Sequence, residues 1–140
     1  MNTTLNALAG FAGWTLLLTF VLVSMRMYYA LVCDQKIALN NFQPDGSDVD
    51  GFGKRLTRAH LNCIETLPVF ASLVIVASLS SQLAIMEATV MYVLYARIAQ
   101  SVVHIISTSL VAVLIRATLW TVQIALLICY AYQLIIPMIG

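Results

Sequence analysis

The sequence predicts an all-α integral membrane protein, a four-helix transmembrane bundle forming a single domain over 1–140. Three observations predict it. Of the 140 residues, 61% are hydrophobic and only 9% are charged, against roughly 25% charged in an ordinary soluble domain. Stretches without any Asp, Glu, Lys or Arg run over 1–25, 66–86 and 117–140, and a span needs about 20 predominantly apolar residues. Finally, one polar segment, 34–54, stands between apolar ones, and nothing shows the short alternating segments of a membrane barrel. So few charges exclude a water-soluble globule or a disordered chain. A net charge of +1 excludes a basic nucleic-acid-binding surface, so no nucleic acid partner is expected.

The helices are expected near 6–32, 55–82, 87–109 and 115–137. The first has no positive n-region, its first cation is Arg26, and its apolar stretch is too long for a cleavable signal, so it counts as a span. The loop 34–54 carries Pro44-Asp45-Gly46-Ser47 and then Gly51 and Gly53, all turn chemistry. Asp45, Asp48 and Asp50 do not fit a calcium loop: Gly46 falls at the first ligand position and Thr57 where a bidentate Glu belongs. They are expected to be a solvated acidic stretch, with Asp50 capping the second helix. The third helix is interrupted only by Arg97, and the fourth opens beside Arg116. Cys33, Cys63 and Cys129 are scattered and odd in number, which predicts reduced thiols and no metal site.

Orientation follows from the cations. Lys36, Lys54, Arg55 and Arg58 flank the first loop and Arg116 lies by the third, whereas the connection around 80–87 has no Lys or Arg. Loops one and three are therefore expected in the cytoplasm, with both termini on the opposite side. The short first loop and lean termini favour a bacterial inner membrane over the endoplasmic reticulum.

Polar residues inside spans are costly, so each is a functional candidate. On the second helix Arg58, Asn62 and Glu65 follow i, i+4, i+7 spacing and share one face. Glu65 lies deep enough to want a cation, and Arg97 is the best candidate. His60 points away from that face and is expected to be structural. The third helix carries Arg97, Gln100, Ser101, His104 and Thr108 as one stripe; the fourth carries Arg116, Trp120 and Gln123. Three polar stripes cannot all face lipid, so they meet inside one bundle or between subunits. Arg116 at a helix start opposes the macrodipole and calls for an anion, either a ligand or a lipid phosphate.

The run Arg55-x-x-Arg58-Ala59-x-x-Asn62-Cys63-x-Glu65-x-x-Pro68-x-Phe70 resembles the signature of the MAPEG family, the membrane-associated proteins of eicosanoid and glutathione metabolism. Chain length, four helices and the polar first loop resemble it too, as does Ile115-Arg116-Ala117-Thr118 followed by Gln123. The resemblance implies a homotrimer with active sites between subunits near the cytoplasmic helix ends. It implies glutathione as co-substrate, held by Arg58, Asn62 and Glu65 with Gln100 and His104 of the partner stripe, and a thiolate-stabilising catalytic role for Arg116. Arg97 and Trp120 complete the candidate set, Arg97 as a second carboxylate ligand. The implied chemistry is conjugation of the thiol to a lipophilic electrophile, or reduction of a lipid hydroperoxide, with the second substrate arriving from the bilayer. The family also includes a non-enzymatic member, so a lipid-binding accessory subunit on the same scaffold is the alternative.

Overall fold

The computed structural model describes residues 2–33 and 37–139. Asp34 and Lys36, the first residue and first cation of the predicted loop, lie outside the described residues. Among the described residues the fold has five α-helices: α1 (Thr3–Leu31), α2 (Phe52–Leu79), the short α3 (Ala84–Glu87), α4 (Val90–Ile106) and α5 (Leu110–Ile139). A 3-10 turn at Leu39–Asn41 sits in the first loop, and no strand occurs among the described residues.

Helices α1, α2 and α5 are long and apolar enough to cross a bilayer. Helix α4 is apolar but shorter, and its 17 residues reach about 25 Å at 1.5 Å per residue. The distribution of side chains is that of a membrane protein: large apolar side chains cover the outside, and polar ones are buried within an apolar core. Leu79 is 83% exposed and Phe20 71%, whereas Arg97 and Gln123 are fully buried. Water would penalise that exterior and hydrocarbon accepts it.

Helices α2 and α4 pack against each other and form the centre, each touching α1 on one flank and α5 on the other. Phe11 of α1 meets Phe70 of α2 with ring centroids 5.7 Å apart. His60 is structural, as its side of the helix implied: its Nε2 lies 2.8 Å from Thr19 Oγ1 of α1.

Two helix ends differ from expectation in ways that matter for the site. Helix α2 begins at Phe52 with Gly51 as its N-cap residue at φ 60°, so Asp50 does not cap it. Helix α5 begins at Leu110, five residues before the expected start at 115. Its start is set by Ser109, whose Oγ accepts the N–H of Ala112 at 3.3 Å and whose carbonyl accepts that of Val113 at 2.9 Å. Arg116 therefore sits six residues inside α5, beyond the first turn, and the macrodipole argument for its needing an anion lapses.

The first loop folds back on α1. Arg26 donates to the Gln43 carbonyl at 3.2 Å and lies 5.4 Å from the Phe42 ring centroid. Gly46 is required there: its φ is +71°, and a Cβ would meet the Thr57 side chain at 2.8 Å. Asp45 accepts the Ser47 N–H at 3.0 Å, which holds its carboxyl below the usual carboxylate range.

Candidate functional site

Three helices deliver polar side chains to one end of the bundle, the end of the first loop and of the 107–109 connection. The first half of α2 brings Lys54, Arg55, Arg58 and Asn62. The last turns of α4 bring Gln100 and His104, and the first half of α5 brings Arg116 and Trp120. Between them lie two adjoining recesses. An inner cleft of about 240 Å³ is lined by Asn62, Gln100, His104, Arg116 and Trp120 together with Val113 and Ala117. An outer vestibule of about 410 Å³ shares His104, Val113 and Arg116 with it and adds Lys54, Arg55, Arg58, Thr108 and Gly51.

The charge pattern is one-sided. Among the described residues four cations line the two recesses, and no Asp or Glu does. Arg116 is half-buried and lines both recesses; among the described residues its one internal hydrogen bond is a long one, from Nε to the Ala112 carbonyl at 3.4 Å. Arg55 donates Nε–H to the Ile105 carbonyl at 2.7 Å. That satisfies one of the four last carbonyls of α4, which have no partner within the helix, and ties α4 to α2 next to His104. The cleft is held from behind by polar bonds: Asn62 Nδ2 lies 3.4 Å from His104 Nδ1, and Gln123 donates from Nε2 to Gln100 Oε1 at 3.0 Å.

A sequence model of the MAPEG family matches residues 4–136 of the 140-residue chain. The chain belongs to the MAPEG family. No curated protein and no solved structure matches it.

Within this MAPEG chain the predicted site residues divide into three groups. Asn62, Gln100, His104, Arg116 and Trp120 share the inner cleft, and Arg58 lines the vestibule. Glu65 is exposed on the outer face of α2 and lines a separate hollow of about 180 Å³ with Thr66, Val69 and Trp120. That hollow adjoins the cleft through Trp120. Arg97 lies in neither place: it is fully buried, donates to Thr66 Oγ1 at 2.6 Å and stands 5.4 Å from the centroid of the Phe11 ring. The expected Glu65–Arg97 pair is replaced by this hydroxyl contact. The helical period explains why. Glu65 and Thr66 are successive residues about 100° apart around α2, so one points outward and the other into the core.

The site also contains residues that the sequence did not assign to it. Lys54 was legible only as a loop-flanking cation; Arg55 stood in the family-like run and Gln123 in the polar stripe and the fourth-helix resemblance, but neither was named as a ligand. Arg55 carried the clearer signal, since it opens the Arg55-x-x-Arg58 pair one turn below Arg58.

Proposed function

We propose that the protein is a membrane-embedded glutathione-dependent transferase or peroxidase. The observation that carries this reading is the recess at the end of a membrane bundle that Lys54, Arg55, Arg58 and Arg116 line with no acid among the described residues, in a chain of the MAPEG family. Glutathione has two carboxylates, one ammonium and a thiol, and the donor set of the recess fits the anionic part. Arg58 binds a carboxylate at the vestibule; Asn62, Gln100 and His104 supply hydrogen bonds deeper in. Arg116 stands where the vestibule and the cleft join and stabilises the developing negative charge. Bound glutathione supplies the thiolate, the nucleophile of this chemistry. Trp120, half-exposed on the outer face of α5, flanks the route by which an apolar electrophile or a lipid hydroperoxide enters from the bilayer.

A homotrimer belongs to the same reading. Glu65 is a carboxylate on the outward face of a spanning helix, a position that is expensive against lipid. A neighbouring copy covering that face removes the cost and places Glu65 at a subunit boundary, where it takes the glutathione ammonium. Glu65→Gln is accordingly expected to weaken glutathione binding about tenfold, the worth of one charged contact of roughly 1.5 kcal/mol. Isothermal titration showing equal affinity for the variant would remove Glu65 from the site.

The reading itself is tested by incubating the purified protein in detergent with glutathione and a chromogenic electrophile. The expected result is thioether formation above the uncatalysed rate. Absence of conjugation and of peroxidase activity, with lipid co-purifying, would instead identify a lipid-binding accessory subunit.

A further inference from the structure

The inner cleft is lined by an amide whose orientation is dictated from the core. Gln123 on α5 is fully buried, and its Nε2 lies 2.9 Å from the Leu119 carbonyl and 3.0 Å from Gln100 Oε1. A backbone carbonyl can only accept, so the half of the Gln123 amide facing Leu119 is its NH₂. The same NH₂ faces Gln100, which fixes the Gln100 oxygen toward the core. Gln100, itself 5% exposed, then has only its NH₂ left for the cleft it lines.

We infer that Gln123 is a positioning residue that makes Gln100 a donor to the cleft, and that the cleft thereby selects ligands by their hydrogen-bond acceptors. Two of the neighbouring groups, Arg116 and Trp120, agree, while Asn62 and His104 of the same lining face each other at 3.4 Å. The guanidinium of Arg116 and the indole of Trp120 donate and do not accept. A ligand seated against Arg116, Gln100 and Trp120 meets three donors; a carboxylate, a thiolate or a carbonyl offers them acceptors only, and an ammonium offers none. The Gln123 oxygen has no partner and is buried, so the amide keeps this orientation at the expense of one unmet acceptor. That is the mark of an arrangement held by its donor side. Neither amide was assigned this relation by position in the sequence, because Gln100 and Gln123 only become a pair when α4 packs on α5.

The inference rests on glutathione being the ligand of the cleft, and the experiment separates the two. Glutathione affinity is measured by isothermal titration for the wild type, Gln123→Met and Gln123→Glu, each in detergent at pH 6 and pH 9. Methionine matches the volume but cannot donate, so Gln100 is free to turn, and the dissociation constant is expected to rise about fivefold at both pH values. A protonated glutamic acid donates to Gln100 and an ionised one cannot. Gln123→Glu is therefore expected to bind like the wild type at the pH where its acid is protonated and to lose about tenfold or more once it ionises. Near-normal binding by that variant at the lower pH also shows that it folds. A wild type that does not bind glutathione overturns the reading of the site and this inference together. A wild type that binds, with an unchanged methionine variant, overturns this inference alone, because a loss confined to the ionised variant is then simple charge repulsion.

Discussion

Arg116→Ala is expected to lower glutathione conjugation near neutral pH by about two orders of magnitude. A free thiol titrates near 8.5, and a guanidinium beside the sulfur that lowers this by about two units contributes roughly 2.7 kcal/mol in favour of the thiolate. Removing the guanidinium removes that preference. The sign of the pH dependence follows directly. With the cation present, the thiolate is populated below the ordinary thiol range; without it, the rate recovers only as pH rises toward about 8.5. A pH–rate profile of the variant whose rising limb is displaced to alkaline pH is the expected signature. Arg116→Lys should fall between the two, since an ammonium restores the charge but not the forked donor geometry. The oligomeric state is expected to persist in all three proteins, because Arg116 makes only one long internal bond, to its own helix. Unchanged conjugation by Arg116→Ala would sink the thiolate role. Arg116 acts not from a helix start, since α5 begins six residues earlier, but through the recess it shares with three other cations.

Much of the layout was legible in the sequence because membrane spans are written in composition, and the hydrocarbon core tolerates little else. The polar stripes were legible for the related reason that 3.6-residue periodicity places Asn62, Gln100, His104 and Arg116 on facing helix sides. What the sequence hid was a matter of caps and partners. The third helix was expected to run to 109, yet Ser109 closes the first turn of α5 with its own hydroxyl. That shifted the whole frame of Arg116. Glu65 wanted a cation, and Arg97 was its best candidate; Arg97 instead reaches the threonine next to Glu65, about 100° further round α2. Charge identifies what a buried cation prefers, and helical phase decides what it reaches.

The Arg97–Thr66 contact yields the largest expected effect on stability. A fully buried guanidinium whose Nε has no partner depends heavily on the one short bond it makes, 2.6 Å to Thr66 Oγ1. Thr66→Val keeps the shape of the side chain and removes the acceptor, so the charge is left with the Phe11 ring alone. Hydrogen bonds to charged groups are worth about 1.5–3 kcal/mol, and a loss of about 2–3 kcal/mol is expected in reversible unfolding of the protein in mixed micelles. Arg97→Met should behave differently, because exchanging a buried charge for an apolar side chain of similar length removes the desolvation cost along with the bond, leaving a change within about 1 kcal/mol. Thr66→Val introduced into the Arg97→Met background should then cost almost nothing, and the difference between its cost in the two backgrounds measures the coupling. The same variants separate structure from ligand binding at Arg97. Since Arg97 lines neither recess, Arg97→Met is expected to keep its affinity for glutathione. A variant that is stably folded but has lost that affinity would return Arg97 to the binding site and require α4 to move in the assembled protein.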